Sequence, residues 1–164
     1  MFIAGCSPTV ASYKNNTPKL TFEEFFNGPV MAHGIIQSRS GKVMRRFTVD
    51  MRGTWNGDKG TLEELFAYDD GERQERTWHV TRLADGSYTG TAPDIIGTAT
   101  GEQAGNAIRW NYVMRIPVNG TTYDVKFDDW MFLMPDGTML NRSMLTKFGI
   151  RVGEVSIYMQ KKPE

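Results

Sequence analysis

A chain of 164 residues in which 19 Lys and Arg balance 19 Asp and Glu has no net charge, which argues against the basic footprint of a nucleic-acid binder. A single domain of this length buries about 68–70% of its unfolded surface, enough for a full core without disulfide staples. No apolar run reaches the roughly 18 residues that a membrane-spanning helix needs.

At the front, Ile3-Ala4-Gly5-Cys6-Ser7 has the lipobox pattern, a small residue preceding a cysteine that becomes acylated. The stretch 7–18 (SPTVASYKNNTP) is polar, proline-flanked and aperiodic, the composition of a flexible tether. The residues before Cys6 are too few for an export signal, so the natural start is expected further upstream. A lipid on Cys6 would anchor the protein, and Ser7 after it points to the periplasmic face of the bacterial outer membrane. The plainer reading of Cys6 is an incidental free thiol.

Residues 21–26 (TFEEFF) read as a short amphipathic helix. Thr21 is an N-cap with Glu24 at the capping-box position, Phe22, Phe25 and Phe26 share a face, and Asn27-Gly28-Pro29 stops it. Just ahead of a first strand, such a helix can plug one end of a barrel. Turn signals then recur at Ser40-Gly41, Asn56-Gly57, Asp70-Gly71, Asp85-Gly86, Gly105-Asn106, Asn119-Gly120, Asp136-Gly137 and Val152-Gly153. Asn-Gly and Asp-Gly pairs between alternating runs mark tight hairpins, because those turns need positive φ. The runs between them give strands at 30–37, 42–54, 61–68, 72–83, 87–100 (interrupted near Pro93), 106–118, 121–133, 138–147 and 154–161. Ten to twelve residues span about 33–40 Å at roughly 3.3 Å each, which suits a tall barrel. A long meander closes on itself because closure removes exposed edges. The expected fold is therefore all-β, with residues 1–18 as lipobox remnant and tether. Residues 19–164 then form one antiparallel up-and-down, lipocalin-like barrel of about 8–10 strands with a short N-terminal helix.

Along 107–116, Trp110 and Tyr112 fall on an apolar face. In the next strand Asp129 sits on the apolar face while Trp130 and Phe132 make the opposite face apolar. A bulge near the Asp pair would explain that switch. Four polar clusters follow from the pattern. Asp128-Asp129-Trp130 places two carboxylates on opposite faces, one inward and in need of a donor or cation. Asn141-Arg142 lies across the hairpin turned at Asp136-Gly137, which makes Arg142 a partner for one of those carboxylates. The Glu63-Glu64, Arg73, Arg76, Trp78 and His79 group spans the Asp70-Gly71 hairpin. Asp94 stands beside Pro93 at a kink. A structural ion-pair network accounts for all four as well as a ligand site does. As a site, Arg142 or Arg76 would meet a carboxylate or phosphate head group. The ten Met read as core filler.

His33 and His79 are distant in sequence with no companion at ligand spacing, so no metal is expected. There is no P-loop, nucleophile elbow or dinucleotide glycine pattern, and no cofactor is implied.

The motifs Tyr68-Asp69-Asp70-Gly71-Glu72, Gly105-Asn106-Ala107, Phe127-Asp128-Asp129-Trp130-Met131, Asn141-Arg142, Phe148-Gly149 and Gly153-Glu154-Val155 resemble a family of small proteobacterial lipoproteins catalogued as domain of unknown function 3833. The resemblance covers nearly the whole chain after the tether. It implies an envelope lipoprotein and supplies no activity. The leading function is non-catalytic binding or carriage of an apolar molecule such as a fatty acid or lipid, by a monomer held to the membrane through Cys6. Asp128, Asp129, Trp130, Asn141, Arg142, Arg76, Trp78, Asp94, Trp110 and Tyr112 are the candidate ligand contacts. A structural lipoprotein with a filled barrel is the first alternative. An enzyme acting on a lipid-like substrate, with Asp129, Arg142 and Asp94 as candidates, is the second.

Overall fold

The computed structural model describes residues 7–163, so Cys6 and the lipobox residues before it lie outside the described range. Ten strands follow one another: β1 (Gly28–Ser38), β2 (Val43–Asn56), β3 (Lys59–Tyr68), β4 (Arg73–Arg82), β5 (Tyr88–Thr91), β6 (Ile95–Ala104), β7 (Ala107–Val118), β8 (Thr121–Leu133), β9 (Met139–Lys147) and β10 (Ile150–Lys161). Each pairs antiparallel with its sequence neighbours. β1 closes the cylinder against β10, from Val30↔Lys161 to Ser38↔Gly153. The chain is the up-and-down barrel that its turn signals imply.

One break is where the sequence reading has it, and one turn is not. Pro93 has no N–H to offer a ladder, so the run 87–100 divides into β5 and β6. The Arg115 N–H ties the intervening turn down by donating to the Asp94 carbonyl at 2.9 Å. The last hairpin turns at Phe148-Gly149, with φ of 50° and 74°, and not at Val152-Gly153. Gly153 instead marks a bulge where β10 shifts register against β9.

A one-turn helix, α1 (Phe22–Phe25), closes one end. Thr21 is at its N-cap, but the hydroxyl donates to the Glu24 carboxylate at 3.0 Å rather than receiving a backbone N–H. A helix of one turn has no stability of its own; burial of Phe22, Phe25 and Phe26 holds it in place. The Phe22 ring meets Tyr88 and Trp110 at 5.4 and 5.6 Å. From the end of β10, the Lys161 ammonium donates to the carbonyls of Glu24, Phe25 and Asn27, acceptors the short helix leaves open. The β2–β3, β4–β5, β6–β7 and β8–β9 turns share this plugged end. The other five connections surround the opposite end, where Ile116, Pro117 and Val118 border the lumen.

Within residues 7–18, expected as a free tether, Val10 and Tyr13 pack against the wall while most of the others are exposed. A 3-10 turn at Val10–Tyr13 buries Val10 against the barrel. The Tyr13 ring stands edge-on to Trp130 and Phe132 at 5.7 and 5.2 Å. That cover is why β8 is apolar on its outer face. No bulge is involved, for β8 keeps unbroken register with both neighbours through Asp128 and Asp129.

A Cβ at Gly53 would fall 1.6 Å from the Phe26 carbonyl oxygen, so any larger residue there lifts the plug. Gly53→Ala is expected to lower stability by on the order of 1–3 kcal/mol in urea unfolding. An unchanged midpoint would mean the plug is not seated against β2.

Candidate ligand-binding lumen

Strict alternation decides what reaches the interior. Phe47, Val49 and Met51 enter from β2, Leu62, Glu64 and Phe66 from β3, and Arg76, Trp78 and Val80 from β4. Trp110, Tyr112 and Met114 enter from β7, and Asn141, Ser143 and Leu145 from β9. They enclose a cavity of about 550 Å³ that runs from the plug to the open end. A larger hollow of about 870 Å³ lies on the outer face, bordered by His33, Arg46, Thr48, Arg142, Ser156 and Tyr158. It is an open groove lined mostly by exposed or half-buried side chains, so the lumen is the better-built site.

Two polar stations interrupt the apolar wall. In the first, the Arg76 guanidinium donates to Glu64 at 3.1 Å through Nη1, and to Asp94 at 3.0 Å through Nε and 2.8 Å through Nη2. Gln74 donates to the same Asp94 carboxylate at 3.4 Å. The Arg76 side chain is only 10% exposed, and its guanidinium lies 4.9 Å from the Phe66 ring centre. Burial raises the Glu64 carboxyl above its ordinary value even with Arg76 against it. Two carboxylates therefore share one cation.

The second station is Asp129, buried on β8. Asn141 Nδ2 donates to its carboxylate at 3.3 Å, and Ser143 stands opposite it in register on β9. Burial pushes its carboxyl up to about 7, with Tyr112 and Asn141 pulling the other way. Tyr112 is itself raised, first by burial and then by the Asp129 charge. Its ring stacks on Phe127 at 4.9 Å and meets Trp78 edge-on at 5.5 Å.

Of the residues singled out in the sequence, Asp129, Asn141, Arg76, Trp78, Trp110 and Tyr112 meet in the lumen, and Asp94 reaches Arg76 from the β5–β6 turn. Three do not. Asp128 points outward and takes Arg109 at 2.7 and 2.9 Å. Trp130 is outside, stacked with Phe132 under Tyr13. Arg142 is opposite Trp130, hence also outside, and is 65% exposed with its guanidinium on Glu154 at 2.8 and 2.9 Å. The expectation that Arg142 answers the Asp pair is corrected by parity: a partner on a facing strand shares the face of its opposite residue, and Trp130 faces out. Glu64, named in a polar cluster but not among the ligand contacts, also faces the lumen, as do Ser143 and Arg45, which the sequence reading does not single out. Odd-number parity with Phe47 and Val49 marks Arg45 as inward from the sequence itself. The Arg45 guanidinium lies over the Tyr68 ring at 3.7 Å and pairs with Asp70 and Glu72, each at 2.8 Å. Among the described residues no group of three His, Cys, Asp or Glu is placed to hold a metal.

The model of a family described as "Protein of unknown function (DUF3833)" matches residues 1–161. The chain belongs to that family. No curated protein matches it. Among solved structures, the DUF3833 chain is similar to an S-type phycobiliprotein lyase, CPES, from Guillardia theta. The TM-score is 0.59 at 10% identity, covering 96% of this chain and 99% of the lyase. At that identity the likeness is one of fold.

Asp129 yields a pH signature. Its folded carboxyl titrates at about 7 against an ordinary value of 3.8, so between those values the native state holds a proton that the unfolded chain has lost. Stability then falls as pH rises through that window and levels off above it. Glu64 adds to the same slope. Unfolding of Asp129→Asn is expected to show a shallower decline, matching the parent near about pH 4 and exceeding it near about pH 8. Identical pH profiles for the two proteins would contradict the assignment.

Proposed function

We propose that this protein is a non-catalytic binder or carrier of an apolar small molecule of lipid character, held in the lumen between the Phe22 plug and the open end. The cavity of about 550 Å³, closed at one end by the plug and open at the other, is the observation that supports it. Small-molecule sites run to roughly 300–1,000 Å³, mostly apolar with a few polar groups, and a barrel of this kind is wide enough to hold one small ligand. A barrel filled by its own side chains would leave no such space.

The wall also bears on the ligand's polar end. Arg76 is already shared by Glu64 and Asp94, and Arg142 is outside, so an anionic head group finds no unpaired cation at either. Asp129, Asn141 and Ser143 offer a carboxyl that holds its proton near neutrality, an amide and a hydroxyl. A ligand whose polar group is a hydroxyl, a carbonyl or an amine suits them, and a fatty acid suits them in its protonated form.

The same reading takes Cys6 as acylated and the protein as a monomer tethered at the periplasmic face of the outer membrane. The Ile3-Ala4-Gly5-Cys6-Ser7 sequence supports it. Cys6→Ser is expected to remove an acyl mass increment and release the protein from the membrane fraction; a parent chain of unmodified mass would count against it.

Binding is tested with the neutral apolar fluorophore Nile red and its displacement by lipids. Ser143→Phe pushes an aromatic ring into the lumen and is expected to weaken binding at least about tenfold while the protein stays folded by circular dichroism. Arg142→Ala, outside the wall, is expected to leave affinity within about twofold. Unweakened binding by Ser143→Phe would overturn a ligand in the lumen.

A further inference from the structure

The open end of the barrel has an unusual edge. The β1–β2, β9–β10 and β7–β8 hairpins lie side by side in the strand order, and each carries apolar residues in or beside its turn: Val43, Met44, Val118, Phe148, Ile150 and Val152 are all exposed. Phe148 is the extreme case, 91% exposed at the first position of its turn. Its φ of 50° lies in the left-handed region, which Gly, Asn and Asp occupy readily and a bulky side chain rarely does. Folding alone gives no reason to hold an aromatic ring there in water, since it fills no core and the turn would close more easily with Asn.

The carboxylates of this arc are answered, Asp124 by Arg115 and Glu154 by Arg142 and Arg151, and cations are left over. Arg39 and Lys42 on the β1–β2 hairpin have no ion pair among the described residues, and Lys147 sits over the Tyr123 and Phe148 rings at 4.0 and 4.9 Å. The acids of the β3–β4 hairpin, on the far side, are answered as well: Asp70 and Glu72 by Arg45, Asp69 by Arg46. What remains toward solvent is a crown of apolar tips interleaved with unpaired cations. That is the composition of a segment that seats in the headgroup region of an anionic bilayer, with apolar side chains reaching the acyl boundary and Lys and Arg meeting phosphates. Val118 belongs both to this crown and to the border of the lumen, so a docked crown brings the cavity mouth to the lipid.

We propose that the Phe148 crown docks the open end of the barrel onto an anionic lipid surface. The surface is independent of any acyl chain at Cys6. The described part of the N-terminal segment packs at the plugged end, where a Cβ on Gly105 would fall 1.7 Å from the Tyr13 carbonyl oxygen, and contributes nothing to the crown.

The test is sedimentation of the full chain with vesicles, with Cys6→Ser in every sample so that no acyl chain contributes. Vesicles of phosphatidylcholine containing phosphatidylglycerol are expected to bind it more tightly than pure phosphatidylcholine, and added salt to weaken the binding. The Phe148→Ser/Ile150→Ser double variant is expected to lose at least about tenfold in affinity with its melting temperature retained. Phe148→Trp places an indole fluorophore on the tip, and its emission is expected to shift to the blue on anionic vesicles. No binding to either vesicle, equal binding to both, or an unshifted emission from Phe148→Trp would each overturn the proposal. Nile red uptake by the double variant is read in parallel: retained uptake with lost sedimentation isolates the crown from the lumen, so failure of either reading is seen separately.

Discussion

Everything in this molecule depends on the ladder between β1 and β10. Without it the meander is a long curled sheet with two raw edges; with it every strand has two partners and no backbone edge is left open. Closure also fixes parity. Once the cylinder is sealed, alternate residues of all ten strands must enter the interior together, and a side chain cannot change face without a bulge. The identity of the lumen wall is a consequence of that constraint rather than of any local motif.

Parity explains why charge is found inside at all. Glu64 and Arg76 are opposite each other on β3 and β4, so closure drives them inward as a pair, and Asp94 joins them only because Pro93 breaks the ladder beside it. A buried ion pair of this kind is weak evidence for stability, since desolvation offsets much of the attraction. Asp129 stands apart, with an amide and hydroxyls but no cation against it, and the cost of burying it shows as a proton retained near neutrality. A purely structural barrel would be more stable with apolar residues at these positions, so their presence in a cavity bears on what the cavity holds.

Much of the fold was legible because turn chemistry is local. Gly41, Gly57, Gly71, Gly86, Gly120 and Gly137 all take the positive φ that their dipeptides imply. The misreadings came where one sequence signal has two physical meanings. Val152-Gly153 has turn composition, yet Gly153 is there because a Cβ would lie 2.7 Å from the Gln37 carbonyl across the β1–β10 seam. The outward Trp130 and Phe132 mimicked a register change because their cover, Tyr13, comes from a segment whose polar composition concealed a packing role. Arg142 was placed on the correct strand and the wrong face, since nearness across a hairpin says nothing of parity until the neighbour's direction is known. The aromatic Phe148 occupies a turn position that ordinary turn chemistry assigns to other residues, so the sequence placed this hairpin at Val152-Gly153 instead.

The central claim is an interior that is plugged at one end, open at the other and spacious enough for a guest. Native mass spectrometry of protein released gently from its own cells tests it most directly. A mass excess over the denatured chain, carried by an apolar compound recoverable in organic solvent and absent from Ser143→Phe, is what an occupied lumen predicts. Identical native and denatured masses, from protein that also takes up no lipid when offered it, would contradict the account.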